Sequence, residues 1–280
     1  MAKRRSAVVL LVLGLAFVAP RAFGQFTPEE ISRRGFWETF LETAEILRAE
    51  PLGSGVTGSM KVYLKSGDVE KKAAWKCVDD RLATGGLDCW RFEIAAYRLD
   101  KLIGLNMVPP AVEREYLGRK GALVLWADSK YSALAMSEQG IQIPEAASDR
   151  AAKMGYVFRL WQCLIANDDP TLENILYTED WRIILIDHSR AFRADKEYTD
   201  RLVLGVDGIK KHENGSPYLI RRVPRDLFAR ITDLDEAAVK RAVGPYLTDR
   251  EIYAVAVRAK LIKAEIATMV HHYGEDSVLY

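Results

Sequence analysis

From Thr27 onward, the spacing of apolar side chains changes along the chain and divides it into segments. Thr27-Pro28-Glu29-Glu30 has the composition of a helix start: a hydroxyl cap, a proline at the first position and acids in the first turn. The spacing predicts a helix from there to Leu47, with Trp37, Phe40, Leu41 and Ala44 on one face. Between Leu52 and Cys77 the period shortens to that of β-structure. Met60 to Leu64 reads as one strand, Ser66-Gly67-Asp68 as a turn and Ala73 to Val78 as a second strand. Helical spacing returns from Arg91 to Ile103, with Phe92, Ala95, Ala96, Leu99 and Ile103 on the apolar face and Gly104 as the stop. After an extended Pro109-Pro110 segment, Ala122 to Trp126 reads as a buried strand, the last of a small sheet.

Beyond Asp128 the pattern is mainly helical. A helix capped by Ser148-Asp149 carries Met154, Val157, Phe158, Leu160, Trp161 and Leu164. Two short strands, Ile175 to Tyr177 and Ile183 to Ile186, flank a turn at Thr178-Glu179-Asp180. Helices follow Val223, over Asp235 to Val243 and Thr248 to His271, the second opened by the capping box Thr248-Asp249-Arg250-Glu251. A β-rich half preceding a helical half implies an α+β fold of two lobes.

The segment most informative about chemistry lies just inside the helical half. In Asn167-Asp168-Asp169-Pro170-Thr171-Leu172-Glu173-Asn174, Asp169 precedes Asn174 by five residues, and Asn174 precedes Asp187, at a strand end, by thirteen. One carboxylate to orient a hydroxyl and an Asn/Asp pair to hold a metal is the set that phosphoryl transfer requires. Taken singly these are turn residues, since an Asp before Pro is a common helix or turn start. Three upstream features fall in the order such a site needs. Gly53-Ser54-Gly55-Val56-Thr57-Gly58 lets backbone N–H groups approach phosphate oxygens, or is simply a hairpin turn. Lys76 interrupts an apolar strand, where an unpaired ammonium would be costly if buried. Glu93, seventeen residues on in an apolar helix, is its candidate partner; otherwise both face solvent.

On these motifs, together with Val108-Pro109-Pro110, Gly121 to Trp126 and Ile186 to Phe192, the stretch Leu52 to Phe192 resembles the atypical kinase superfamily. That group comprises phosphatidylinositol 3-/4-kinase-like and HipA-like proteins and the related secretory-pathway kinases. The resemblance covers about half of the chain. It implies a two-lobed kinase fold, with residues 25–127 as a β-rich N-lobe, residues 128–280 as a helical C-lobe and ATP between them. Val124 to Ala127, Trp126 included, would form the hinge, and Gly53, Gly55, Thr57 and Gly58 the loop over the nucleotide. Lys76 would contact ATP phosphates and Glu93 would hold it. Asp169 would orient the acceptor hydroxyl, and Asn174 and Asp187 would bind Mg²⁺ or Mn²⁺. The chain departs from the family at Pro170-Thr171, where a polar pair such as Arg-His usually follows the catalytic Asp, and at Asp187-His188-Ser189, which replaces Asp-Phe-Gly. His188 reads as a packing and hydrogen-bonding residue behind Asp187.

Charge adds an exclusion: 40 basic and 39 acidic residues leave a net charge of +1, with no electrostatic footprint for nucleic acid. The N-terminus adds a destination. Met1-Ala2-Lys3-Arg4-Arg5 is basic, Ser6 to Pro20 is almost wholly apolar, and Ala22-Phe23-Gly24 offers small residues before Gln25. This is the pattern of a cleavable signal peptide over residues 1–24, with an uncleaved anchor or a buried helix as the alternatives. Cleavage predicts a secreted or periplasmic protein with no stable membrane span. Cys77 and Cys89 could then pair, or all three cysteines could be small buried residues. The expected activity is phosphoryl transfer from ATP to a protein or small-molecule hydroxyl. A nucleotide-binding pseudokinase scaffold, an AMP transferase and a purely structural α+β protein are the competing readings.

Overall fold

The computed structural model describes residues 26–53, 58–83, 85–167 and 169–280; residues 1–24, expected to form a signal peptide, lie outside them. The described residues open with two short helices, α1 (Pro28–Ser32) and α2 (Arg34–Thr43). Strands β1 (Glu45–Pro51), β2 (Met60–Ser66), β3 (Val69–Lys76), β4 (Asp79–Arg81) and β5 (Leu87–Cys89) follow. Helix α3 (Arg91–Ile103) precedes β6 (Ala111–Tyr116), β7 (Arg119–Leu125) and β8 (Tyr131–Ser132). Next come α4 (Ala133–Gln139), α5 (Glu145–Ile165) and the hairpin strands β9 (Ile175–Tyr177) and β10 (Ile183–Leu185). The chain finishes with α6 (Lys196–Asp200), α7 (Arg225–Thr232), α8 (Glu236–Val243), α9 (Asp249–Tyr273) and α10 (Glu275–Val278).

The main sheet is antiparallel, in the order β1-β2-β3-β7-β6. Its two faces are separated by the strand period. Val62, Leu64, Ala73, Trp75 and Leu123 pack against Phe40 and Leu41 of α2 in one apolar cluster. Ala74 and Val124, on the other face, join a larger cluster with α3, α5 and the C-terminal helices. The predicted α+β class therefore holds, with a small β-rich part and a larger helical part.

Several sequence expectations are corrected. The single helix expected from Thr27 to Leu47 is broken at Arg33 into α1 and α2, and α2 stops at Thr43, because Ala44 turns extended (φ −60°, ψ 145°) and Glu45–Pro51 finds a hydrogen-bonding partner in β2. Tertiary pairing overrides local helical spacing there. Helix α5 begins at Glu145, after Pro144, not at the Ser148-Asp149 cap; Asp149 instead pairs with Lys153 and Arg222. The second strand starts at Val69, directly after the turn, and ends at Lys76. The Ala122 strand is β7, the last strand of this sheet in chain order as expected, though it starts at Arg119, ends at Leu125 and lies between β3 and β6. Charge-rich β6 (AVEREY) is a strand without a strand's apolar alternation, and its polar residues suit its place at the sheet edge.

Helix α3 runs over the predicted span, and Gly104 ends it in the left-handed conformation (φ 64°). The α9 capping box has both of its hydrogen bonds. Cys77, Cys89 and Cys163 are buried free thiols. Among the described residues, no helix is long and apolar enough to cross a membrane.

Candidate active site

Lys76 is the last residue of β3, and strand alternation turns it to the same face as Ala74. Its Nζ lies 2.7 Å from Glu93 Oε1 and 2.8 Å from Asp187 Oδ1. The Lys76 side chain is 13% exposed and that of Glu93 3%. Burial pulls the Lys76 ammonium down, but the carboxylates of Glu93 and Asp187 outweigh it and hold it above the ordinary lysine range. Burial likewise pushes the Glu93 carboxyl up, and Lys76 and His188 overcome this to hold it well below the carboxylate range. Both groups are thus charged, and each depends on the other. Gly121 permits this position of β3, since a Cβ there would stand 2.4 Å from the Lys76 carbonyl oxygen.

Asn174 and Asp187 stand at one end of the β9–β10 hairpin. Ile175 pairs with Leu185, so the residues just outside, Asn174 and Ile186, face each other, and Ile186 N–H donates to the Asn174 carbonyl at 3.1 Å. The thirteen-residue interval is therefore a hairpin bringing both side chains to one end of the strand pair. Asp187 has a left-handed backbone (φ 59°), which Asp tolerates better than most residues. Ser189 Oγ donates to Asp187 Oδ1 at 3.2 Å.

His188 faces the opposite way. It is 1% exposed, its N–H donates to Glu93 Oε1 at 3.1 Å, and its Nε2 accepts from Trp161 Nε1 at 3.3 Å. This is the expected packing role. Glu93 thereby fixes both Lys76 and the backbone next to Asp187, and Phe92 backs this up by packing on Phe192 with ring centroids 5.5 Å apart.

Asp169 follows the left-handed end of α5 at Ala166 (φ 45°). Its N–H donates to Asn167 Oδ1 and its carbonyl accepts from Thr171 N–H. Its carboxylate receives Arg190 Nη1 at 2.6 Å, while Arg190 Nε donates to buried Asp88 at 3.1 Å. Sequence reasoning missed Arg190 and Asp88. Arg190 stands three residues after Asp187, but no spacing rule links it to Asp169, and Asp88 gives no sequence signal.

Val124 and Trp126 lie at the end of β7 and just beyond it. Val124 pairs with Ala74 across the sheet, Trp126 N–H donates to the Lys72 carbonyl, and Lys61 Nζ lies 5.2 Å from the Trp126 ring. A groove of about 620 Å³, lined by Tyr63, Lys72, Trp126, Ser129 and Glu179 among others, runs along this segment. Lys76, Glu93, Asn174 and Asp187 are not among its lining residues. Gly53 and Gly58 flank the β1–β2 turn, both with positive φ (53° and 64°), and Leu52 N–H donates to the Ser59 carbonyl. Gly55 and Thr57 lie outside the described residues.

Among the described residues, no group of three or more His, Cys, Asp or Glu side chains forms a metal cage. The amide of Asn174 and the carboxylate of Asp187 fit the smaller oxygen-donor set that Mg²⁺ uses when nucleotide phosphates complete its shell.

No protein-family description matches the chain, and no curated protein matches it. Among solved structures, a Helicobacter pylori proinflammatory kinase, CtkA, is similar with a TM-score of 0.53 and 11% identity, over 84% of this chain and 96% of that one. The fold is kinase-like. At that identity the likeness extends to the fold alone, so the side-chain geometry has to be argued from this chain's own residues.

Proposed function

We propose that the protein is a phosphotransferase that moves a phosphoryl group from ATP to a hydroxyl on a protein or small molecule. One observation carries the reading: Lys76, Glu93 and Asp187, more than a hundred residues apart at the extremes, converge in one charge cluster. Asn174 sits at the end of the hairpin that delivers Asp187. A purely structural protein has little use for a buried lysine shared between two carboxylates, because a buried ion pair contributes little net stability.

In this reading Ala74, Val124 and Trp126 border the base, and Lys76 holds the phosphates. Asn174 and Asp187 hold the Mg²⁺ or Mn²⁺, which would neutralise phosphate charge. Gly53 and Gly58, between β1 and β2, would border the nucleotide phosphates. Asp169 accepts the proton of the acceptor hydroxyl. The acceptor oxygen forms a bond to the γ-phosphorus, the bond from that phosphorus to the bridging oxygen breaks, and ADP leaves with the electron pair.

Purified protein with Mg²⁺ or Mn²⁺ and γ-labelled ATP is expected to label itself or an added acceptor, and Asp187→Ala to abolish the label. No label with wild type, or equal label with the variant, would overturn the reading. The use of α-labelled ATP tests AMP transfer in the same assay.

A pseudokinase scaffold is the second reading. Pro170-Thr171 offers no cation beside Asp169, and Asp169 is held by Arg190. Nucleotide-dependent thermal stabilisation without any turnover would select it. We also propose export to the periplasm or outside the cell on the pattern of residues 1–24. N-terminal sequencing of the protein from its own cell is expected to begin at Gln25, and an intact Met1 would contradict export by cleavage.

A further inference from the structure

The Asp169 carboxylate is bound by a cation that the catalytic-loop sequence does not supply. Residues 170 and 171 are Pro and Thr, the first without even a backbone N–H. The cation comes from the other side of the site. Arg190 Nη1 is 2.6 Å from Asp169 Oδ2, and Arg190 Nε is 3.1 Å from Asp88 Oδ2.

Asp88 is a fixed post. It is 3% exposed, lies on β5, and its other carboxylate oxygen has no hydrogen-bond partner. The next residue on β5, Cys89, donates its N–H to the Ser189 carbonyl at 2.8 Å, which locks the strand to the residue before Arg190. Arg190 is therefore held from behind by a buried acid and from the front by Asp169, while its side chain stays 39% exposed. Those two bonds use two of the five guanidinium N–H donors, and a planar fork presents the others to an oxygen anion. Lys76 is the nearby alternative cation, but it is engaged with Glu93 and Asp187.

We propose that Arg190 is the cation of the transfer step, contacting the oxygens of the transferred phosphoryl group while it keeps Asp169 aimed at the acceptor hydroxyl. The inference rests on the phosphotransfer reading. Charge spread over the three equatorial phosphoryl oxygens in transit needs a preorganised donor next to the base. Arg190 meets this need from the segment that follows Asp187. The bonds made and broken are unchanged: the hydroxyl proton goes to Asp169, the acceptor oxygen bonds to phosphorus, and ADP departs. Asp88 acts through Arg190 and is a positioning residue.

The test separates binding from turnover. Affinities for ADP and for the β,γ-imido analogue of ATP, both with Mn²⁺, are measured by calorimetry on wild type, Arg190→Gln, Arg190→Lys and Asp88→Asn. Wild type is expected to prefer the triphosphate. Arg190→Gln is expected to lose about ten- to a hundredfold in triphosphate affinity, the range for a hydrogen bond to a charged group, with ADP affinity unchanged. Arg190→Lys recovers part of this loss. Asp88→Asn lowers kcat more than it raises KM for ATP.

A wild-type preference for the triphosphate that survives in Arg190→Gln and Arg190→Lys overturns the inference and leaves the phosphotransfer reading standing. Faster turnover in Arg190→Gln also overturns it, by making Arg190 a lock on Asp169. If wild type binds neither nucleotide, the phosphotransfer reading fails, and the inference fails with it.

Discussion

Removing Lys76 is expected to destabilise the protein more than any surface charge change would, and removing its partner as well should restore much of the loss. In Lys76→Met the Glu93 carboxylate, 3% exposed, keeps the His188 backbone N–H at 3.1 Å and the His188 Nδ1 at 3.8 Å but loses its ammonium partner. An uncompensated buried charge of this kind costs about 3–5 kcal/mol. Glu93→Leu is milder, because Lys76 keeps Asp187 at 2.8 Å, and a loss of about 2–3 kcal/mol is expected. If the two losses were independent, the double variant would lose their sum, roughly 5–8 kcal/mol. Replacing a buried pair by apolar side chains of similar volume is instead close to neutral. The double variant should therefore lose only about 2–3 kcal/mol, a residue that reflects the orphaned His188 N–H and the unpaired Asp187.

Urea unfolding and thermal melts read these values directly. For Lys76→Met the Tm drop is expected to be roughly 6–12 °C. The pH dependence has a fixed sign. The Glu93 carboxyl is held below its ordinary value of 4.5, so its contribution is complete above about pH 4.5 and drains away as the pH falls below it. The Lys76 ammonium is held above its ordinary value of 10.5, so its contribution is complete below that pH and is lost as the pH rises beyond it. The stability gap between wild type and the double variant should be flat between those limits and shrink outside them. Additive losses, or a gap that grows in acid, would refute the coupled buried pair.

Four other outcomes follow from the same geometry. Asp100→Ala should cost about 3–5 kcal/mol in urea unfolding, because fully buried Asp100 accepts from Arg34 and from the Met107 and Val108 N–H groups, all left without it. Gly121→Ala should cost about 1–3 kcal/mol by forcing the Lys76 backbone away, and it should also weaken nucleotide binding, which an ordinary core defect at the far side of the sheet would not do. Thr248→Ala should cost about 1 kcal/mol through loss of the α9 capping box, with no change in nucleotide affinity. Asp169→Asn should leave nucleotide-induced thermal stabilisation in place while removing transfer of label, and retained transfer would exclude Asp169 as the base.

Much of the site was legible in the sequence because its residues belong to elements with strong local signals. Glu93 sits on a helix whose apolar face and Gly104 stop are unambiguous, and α3 has the predicted ends. Lys76 was marked by contrast with its apolar neighbours. The Asn174–Asp187 interval could be read as a hairpin because a turn separates two short apolar runs. Features without a local signal were missed. Strand β1 continues helical spacing and becomes a strand only through β2, and β6 carries too many charges to show a buried face. Arg190 lies 21 residues from Asp169 and 102 from Asp88, and packing that no interval along the chain encodes brings the three together.

The central claim is that Lys76, Glu93, Asn174 and Asp187 form one metal-dependent nucleotide site. Calorimetric titration of the purified protein with ATP, with and without Mn²⁺, tests it most directly when repeated with Asp187→Ala. The account predicts binding that is strengthened by Mn²⁺ in wild type and that loses this metal dependence in the variant. Absence of ATP binding in wild type, or an Asp187→Ala variant that retains the full Mn²⁺ effect, would contradict it.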